Sequence, residues 1–380
     1  MLHLPIYLDN NATTPVDPRV LESMLPFFTK YFGNAASHSH TFGWEAEAAV
    51  KYAREQVALL INAEPNEIIF TSGATESDNL ALKGIFEMYA AKGNHIITVS
   101  TEHKAVLDSC AHLEKLGADV TYLNVNKDGI IDLKELESAI KPTTILLAVM
   151  YANNETGVIQ PVKEIGMIAK KHGVLFFSDA TQAVGKIPVD VIQDNIDLMA
   201  FSAHKIYGPK GAGALYIRRK NPRVRITAQI DGGGHERNFR SGTLNVPGIV
   251  GFGKACELCK IEMQKDGDNM KILRNKLESA LLETKKSTIN GSTKHRLPNV
   301  SNMSFKNRNS AELMGKLSNT IALSSGSACT SATLSPSFVL KAMGLSDEDA
   351  LSSLRFGLGR FTTEEEIDYT IGQLTELLAD

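Results

Sequence analysis

Side chains that could do chemistry follow a series of apolar runs in this sequence. They are Ala74 and Thr75 in a small-residue turn, His103, Asn154, Asp179 and Gln182, and finally Ser202, His204 and Lys205. The turn at 71–77 leads into an expected helix, whose free backbone N–H groups would bind an anion. Lys205 adds a nucleophilic amine and Asp179 an acid. Each segment alone is a weak signal, and their chemistry becomes specific only if the fold brings them together.

The elements that would position these residues alternate between strands and helices. Apolar runs rich in Ile, Val, Leu and Phe occur at 67–70, 95–99, 120–125, 144–150, 174–177, 198–201 and 214–217. Most show no clean alternation of polar and apolar residues, which is typical of strands buried on both faces. Helical patterns lie between them, so we predict an α/β fold with a mostly parallel seven-stranded sheet flanked by helices. Ligands of such sheets bind beyond the carboxyl ends of the strands, where the polar segments lie.

The pattern changes after about residue 250, where a long charged helix is followed by short strands and further helices. We predict that residues 14–255 form a large cofactor-binding domain. Residues 1–13 and 256–380 would form a smaller α+β domain. Its last helix would begin after Thr362 and Thr363, with three glutamates in its first turn that suit the helix dipole.

The composition describes an ordinary globular protein. The 380 residues include 43% hydrophobic and 22% charged types, with a formal net charge of −3, which gives no reason to expect a nucleic-acid or membrane partner. We find no targeting segment and no apolar stretch long enough to span a bilayer. Four cysteines in a chain of this length do not indicate a disulfide framework, so we expect a cytoplasmic protein.

The strand-end residues fit the requirements of pyridoxal 5'-phosphate. This cofactor needs a lysine for a Schiff base, an acid at its pyridine nitrogen and donors for its phosphate. Lys205 would be the amine, Asp179 the acid and His103 a flat partner for the ring. The remaining contacts are expected from Ala74, Thr75, Ser202 and His204 at the phosphate and from Asn154 and Gln182 at the ring hydroxyl. The sequence therefore predicts a pyridoxal-phosphate enzyme that acts on an amino acid.

Several motifs together resemble one family over essentially the whole chain. They lie at 7–14, 71–77, 101–103, 153–155, 202–205, 232–236, 240–243, 324–329 and 354–356. In this combination the chain resembles the cysteine desulfurases, which are class V aminotransferase-like enzymes of pyridoxal-phosphate fold type I. It is most similar to the iron–sulfur-cluster and nitrogen-fixation type.

The resemblance assigns roles residue by residue. It makes Lys205 the Schiff-base lysine, Asp179 the partner of the pyridinium and His103 a stacking, proton-handling group. It makes Arg355 the clamp for the substrate carboxylate, a task suited to the two-pronged guanidinium, with Asn154 as a further substrate contact. The catalytic residues implied are Cys329, Lys205 and His103. Thr243 would reach the phosphate in the neighbouring subunit, which implies a homodimer with shared sites.

The reaction implied is the removal of sulfur from L-cysteine, which yields L-alanine and a persulfide on Cys329. The sulfur would pass to acceptor proteins such as an iron–sulfur scaffold, with tRNA thiolation as a further route. No metal is expected beyond a transient cluster or persulfide contact at Cys329. Selenocysteine lyase and another aminotransferase-like enzyme of fold type I remain alternatives. Housekeeping members of this family often extend further at the C terminus. The end of the sequence at Asp380 therefore favours the nitrogen-fixation branch or a compact homologue.

Other reactive-looking residues have simpler interpretations. Cys256 and Cys259 lie on a helical pattern among apolar residues, and with Cys110 we predict that they pack in the core. The basic run at 218–225 is either a solvated loop or a docking surface for acidic proteins, and the sequence does not separate these readings.

Overall fold

The computed structural model describes residues 2–325 and 335–379 of the chain. A seven-stranded sheet forms the centre, with its strands in the order β2-β8-β7-β6-β5-β3-β4. These strands are β2 (Ile68–Thr71), β3 (His95–Val99), β4 (Asp119–Leu123), β5 (Thr144–Ala148), β6 (Leu175–Asp179), β7 (Leu198–Ser202) and β8 (Gly213–Ile217). Only β8 runs antiparallel to its two neighbours, and the other pairings are parallel. The predicted α/β fold with a mostly parallel seven-stranded sheet is confirmed.

Helices cover both faces of this sheet. In chain order they are α1 (Pro18–Met24), α2 (Pro26–Thr29), α3 (Thr41–Leu60), α4 (Ala74–Met88), α5 (Lys104–Glu114), α6 (Leu133–Ser138), α7 (Val162–His172) and α8 (Val246–Glu283). On one face α4 and α5 pack through residues such as Leu82 and Val106. On the other face α3, α7 and the first half of α8 pack through residues such as Val50, Ile165 and Phe252. Burial on both faces explains why the strands are continuously apolar.

The C-terminal part contributes two small sheets. Strands β9 (Ser287–Ile289), β10 (Val300–Phe305) and β12 (Ser353–Gly357) form an antiparallel sheet in the order β12-β10-β9. The N-terminal strand β1 (Ile6–Tyr7) pairs in parallel with β11 (Ile321–Ala322). The remaining helices are α9 (Ser310–Leu317), α10 (Phe338–Ala342), α11 (Asp347–Leu351) and α12 (Glu364–Ala379). The start of the chain therefore packs with its end.

Helix α8 connects the two parts of the molecule. Its first half buries Phe252 and Cys256 against the main sheet, whereas its second half buries Met270 and Leu277 in the core of the small sheets. The helix runs without interruption through position 255, where we predicted a domain boundary. The division into residues 14–255 and a smaller unit stays a prediction.

The cysteines that the structure describes, Cys110, Cys256 and Cys259, are free and buried, as their apolar neighbours predicted. Burial raises the pKa of the Cys110 thiol to about 12, so that little thiolate forms there at neutral pH. Among the helices of the described residues, none combines the length and the apolar character needed to cross a membrane.

Candidate active site

A cavity of about 700 Å³ opens at the carboxyl ends of the parallel strands. The predicted residues that line it are Ala74, Thr75, His103, Asn154, Asp179, Gln182, Ser202, His204, Lys205 and Arg355. They come from the ends of four strands (β3, β5, β6 and β7), from the start of α4 and from β12 of the small sheet. Parallel strands align their carboxyl ends, and this alignment brings the separate polar segments into one site.

Lys205 stands at the centre of this arrangement. It follows β7 in a short 3₁₀ turn, Ala203–Lys205, and its Nζ lies 2.6 Å from the carbonyl oxygens of both Asn11 and Ala12. The next turn places Tyr207 at a φ of 65°, in the left-handed region that non-glycine residues seldom adopt. The Tyr207 N–H donates to Thr14 Oγ1 at 2.8 Å, which ties the turn to the N-terminal segment. Residues 11–14 therefore pack against Lys205 and its turn. The strand-end pattern did not predict this contact.

The acidic end of the cavity is a cluster of buried groups. Asp179 ends β6, and its Oδ1 accepts a 2.9 Å hydrogen bond from the Thr181 N–H. A carboxylate oxygen of Asp179, one of Asp78 on α4 and a ring nitrogen of His103 lie within 4.8 Å of one another. Neither oxygen of Asp78 has a hydrogen-bond partner within 2–325 and 335–379. Burial, followed by the nearby charges of Asp179 and Glu102, raises the pKa of Asp78 well above its usual range.

Glu102 adds a second buried acid next to this cluster. Burial raises the pKa of Glu102 well above its usual range, although its Oε1 accepts a hydrogen bond from the Met150 N–H at 2.5 Å. Within this acidic cluster, Asp179 is the member that lines the cavity, whereas burial favours the neutral forms of Asp78 and Glu102. Asp78 was missed from sequence because a single aspartate within a helical pattern looks like an exposed polar residue.

Groups that are suited to bind an anion lie at the start of α4. Gly73 occupies the N-cap position and offers no side-chain acceptor to the first N–H groups of the fifteen-residue helix. A Cβ added to Gly213 on β8 would lie 2.5 Å from the Gly73 Cα, so this turn requires close backbone packing. Ser202 and His204 line the cavity with it. Burial, and then the charges of Lys205 and Lys210, lowers the pKa of His204 to about 4, which leaves its imidazole neutral.

Arg355 supplies a buried cation from β12. Its Nη2 donates to Asp9 Oδ1 at 2.7 Å and its Nη1 to the Asn154 carbonyl at 3.0 Å. Its side chain is only 2% exposed, and its Nε has no partner within the described ranges. A guanidinium held on two sides, with an N–H left over at a cavity, is suited to bind a carboxylate.

The described residues on either side of Cys329 hydrogen-bond to residues that line this cavity. On one side the Ser324 carbonyl accepts a 2.7 Å hydrogen bond from the Arg355 N–H. On the other side Ser337 Oγ donates to Glu155 Oε2 at 2.5 Å, and Glu155 and Phe338 line the cavity. Cys329 itself lies outside the described residues.

Thr243 is the predicted cofactor contact that the structure does not bring to this cavity. It is exposed and absent from the cavity lining of its own chain. The prediction that it serves the neighbouring subunit is compatible with this position.

The described residues fit pyridoxal phosphate. The cavity combines an uncapped helix start for a phosphate, a carboxylate for a pyridine nitrogen and a lysine amine held by backbone carbonyls. The orphaned Nε of Arg355 adds a place for a substrate carboxylate. The donor groups and the volume of the cavity agree with the cofactor that we predicted from the sequence.

This fold and site define a lysine-centred α/β enzyme of the pyridoxal-phosphate fold type I class. More specifically, the chain belongs to the class-V aminotransferase family, whose model matches residues 6–370. Enzymes of this family use pyridoxal phosphate.

The chain is similar to proteins named cysteine desulfurase IscS. It is 58% identical to the one from Anaeromyxobacter dehalogenans (strain 2CP-C) over 97% of this chain and 91% of the relative. It is 57% identical to the one from Escherichia coli (strain K12 / DH10B) over 97% of this chain and 92% of the relative.

Solved structures agree with this family. A structure titled NifS-like protein superposes with a TM-score of 0.92 at 41% identity, covering 99% of this chain and all (100%) of that one. A structure titled SspA in complex with cysteine superposes with a TM-score of 0.83 at 38% identity, covering 94% and 100% of the two chains.

Proposed function

We propose that this chain is a cysteine desulfurase, which takes sulfur from L-cysteine, releases L-alanine and holds the sulfur as a persulfide on Cys329. The observation that carries the proposal is the meeting of Lys205, Asp179 and Arg355 in one cavity. Relatives at 57–58% identity named cysteine desulfurase IscS support the same activity.

Pyridoxal phosphate would be held at the start of α4 by Ala74 and Thr75, with Ser202 and His204 beside them. When bound, it supplies an electron sink that stabilises negative charge at the α-carbon of an amino acid. Asp179 would hold the proton on the pyridine nitrogen of the bound cofactor, and His103 lies next to Asp179. Burial raises the pKa of both neighbouring acids, Asp78 and Glu102, and so favours their neutral forms.

Lys205 and Arg355 act on the substrate. Arg355 binds its carboxylate through the free Nε side of the guanidinium, with Asn154 next to it. Lys205 Nζ is the base that removes the α-proton, and the carbonyls of Asn11 and Ala12 hold this nitrogen at the cavity wall. Orienting the substrate from its carboxylate places the α-proton toward the lysine.

Cys329 completes the reaction as a thiolate. The Cys329 sulfur attacks the substrate sulfur, and an S–S bond forms between them. The C–S bond of the substrate breaks, and the electron pair of that bond stays with the substrate carbon. Protonation of that carbon leads to alanine, and no external oxidant is needed. Ser324 hydrogen-bonds to Arg355 and Ser337 to Glu155, so the described residues on either side of Cys329 are held by residues that line the cavity.

The proposal includes a cytoplasmic homodimer with shared sites. Thr243 is exposed in one chain, where it can serve the phosphate of the other. The segment that contains α1 to α3 also exposes large apolar side chains, including Leu25, Phe28, Phe32 and Trp44, at 52–63%. Such a group of exposed apolar residues is typical of a subunit interface.

The sulfur would be delivered to acceptor proteins such as an iron–sulfur scaffold, with tRNA thiolation as a second route. The names of the relatives support the first destination. An alanine-release assay with and without candidate acceptors identifies the acceptor as the protein that raises turnover.

The decisive experiment compares Cys329→Ser with Cys110→Ser. We expect Cys329→Ser to keep the visible absorbance of the bound cofactor but to form no persulfide when L-cysteine is added. Cys110→Ser should form persulfide normally, because Cys110 is buried away from the cavity and its thiol pKa is raised to about 12. Unchanged persulfide and sulfide release by Cys329→Ser would contradict the proposal. Selenide release from selenocysteine in preference to cysteine turnover would favour a selenocysteine lyase instead.

A further inference from the structure

Lys186 is a buried lysine that the mechanism above does not use. It is 7% exposed and does not line the cavity, but its Nζ lies 2.8 Å from Oε1 of Gln182, which does. Burial, followed by the charges of Lys205 and Arg355, lowers the pKa of Lys186 to about 7. A lysine is seldom retained in such a place without a specific partner.

The contacts of Gln182 determine how its amide is oriented. Its Nε2 lies 3.0 Å from the Asn11 carbonyl oxygen, which can only accept a hydrogen bond. Its Oε1 faces Lys186 Nζ, which carries N–H donors in both its charged and its neutral form. Both neighbours therefore select the same orientation of the amide. One N–H of Nε2 is used by Asn11, and the other has no acceptor among the described residues and remains for a ligand of the cavity.

We propose that Lys186 is a positioning residue, which holds Gln182 so that an N–H donor faces an anionic ring oxygen of the cofactor. Without Lys186, only the Asn11 carbonyl would oppose rotation of the amide, and a rotated amide would present its own oxygen to that anion, where two acceptors repel each other. The inference rests on the proposed function, because it concerns the pyridoxal-phosphate ring.

The local fold is built to keep these two residues together. Gln182 and Lys186 lie four residues apart in the turns after β6, and their side chains meet at the 2.8 Å hydrogen bond. Between them, Gly185 has a φ of 75°, and an added Cβ would lie 2.6 Å from Ile206 Cγ2 and 2.9 Å from Cys259 Sγ. Close packing against the lysine turn and α8 therefore fixes the position of Lys186.

The same network reaches Lys205. The Asn11 carbonyl oxygen accepts hydrogen bonds from Gln182 Nε2 at 3.0 Å and from Lys205 Nζ at 2.6 Å. A carbonyl oxygen has two lone pairs, and both are used here. One backbone carbonyl thus links the Lys186–Gln182 pair to the amine that anchors the cofactor.

The experiment measures the dissociation constant of pyridoxal phosphate from the full chain. The variants are Lys186→Met, Lys186→Gln, Gln182→Leu and the double variant that combines Gln182→Leu with Lys186→Met. Lys186→Met removes the donor but keeps an apolar stem of similar length, and we expect it to weaken cofactor binding about tenfold. Lys186→Gln keeps an N–H donor without a charge and should weaken binding by less than about threefold. In a Gln182→Leu background, Lys186→Met should cause no further loss, because its effect passes through Gln182.

The outcomes separate this inference from the proposed function. If the wild-type chain binds the cofactor and Lys186→Met binds it equally well, the positioning role is wrong while the desulfurase proposal stands. A full additional loss in the Gln182→Leu background, or an equal loss in Lys186→Gln and Lys186→Met, also overturns it. Failure of the wild-type chain to bind pyridoxal phosphate overturns both. Melting curves of each apoprotein establish that the variants are folded, and Lys186→Gln tests the donor if Lys186→Met is not.

Discussion

Arg355 Nη2 donates a 2.7 Å hydrogen bond to Asp9 Oδ1, which joins β12 near the end of the chain to the segment after β1. The Arg355 side chain is 2% exposed and that of Asp9 is 19% exposed, so the pair is largely removed from water. A buried guanidinium needs such compensation, and this one is held by Asp9 and by the Asn154 carbonyl while its Nε faces no partner among the described residues. The pair therefore fixes the orientation of a cation that we propose binds substrate.

Arg355→Lys should raise the KM for L-cysteine by about ten- to a hundredfold, because a lysine cannot keep Asp9 and Asn154 and also bind a carboxylate with two donors. Asp9→Asn keeps the shape of the partner and should raise KM less. Steady-state alanine release measures both variants. A KM unchanged in Arg355→Lys would contradict the carboxylate role.

Asp179→Asn should lower kcat about a hundredfold or more, since an amide cannot hold a proton on the pyridine nitrogen. Alanine release measures the rate, and the visible absorbance of the bound cofactor shows that the site is still loaded. Retention of wild-type kcat would show that another group supplies the charge.

Asp78→Asn is the matched control, because it alters the neighbouring acid that burial keeps neutral. An acid with a raised folded pKa loses stability as pH rises above the unfolded value, here 3.8, since only the unfolded state releases the proton. The asparagine variant should therefore melt above the wild type at pH 7 to 9 and approach it near pH 4. An equal difference at every pH would show that Asp78 is ionised in the folded protein.

Lys186→Met should stabilise the apoprotein at neutral pH. The folded pKa of Lys186 is about 7 and the unfolded value about 10.5, so between these values only the unfolded state binds the proton, and wild-type stability rises with pH. The groups that act on it are Lys205, Arg355 and Cys259. Below pH 7 the buried charge costs on the order of 5 kcal/mol, which the variant recovers, and the advantage should disappear by about pH 10.

Thermal melts of the apoproteins across this range measure the difference between wild type and variant. Lys134→Met, which removes an exposed lysine on α6, is the control and should show no such pH-dependent difference. A Lys186→Met difference that is independent of pH would contradict the lowered pKa of Lys186 in the folded protein.

Subunits that carry Thr243→Asp should regain activity when mixed with inactive Lys205→Ala subunits. If each site combines Lys205 from one chain with Thr243 from the other, both defects fall in one site of the mixed dimer and the second site is intact. Mixing Thr75→Asp with Lys205→Ala is the control, because Thr75 lines the same cavity as Lys205 and no intact site can form. Alanine release after subunit exchange measures the recovery, and equal behaviour of both mixtures would remove Thr243 from the shared site.

Local sequence determined the central sheet and most of the residues around its cavity. The seven apolar runs are confirmed as β2 to β8, because burial on both faces leaves a continuous apolar pattern that can be read without knowing the partners. Asp179 and Lys205 could be proposed for the site because each directly follows such a run. The roles of Cys329 and Thr243 were predicted only from the family resemblance. A residue in a run of small polar residues has no local pattern that indicates its role.

Tertiary structure alone decided the contacts that join distant parts of the chain. The carbonyls of Asn11 and Ala12 hold Lys205 across more than 190 positions, and backbone groups leave no mark on the sequence. In the sequence, Asp78 and Lys186 look like ordinary polar residues of helical segments. Only the tertiary structure shows that both are buried near the cavity, where burial shifts their pKa values. Periodicity reports which face of an element is buried, whereas the identity of the partner depends on how the elements pack.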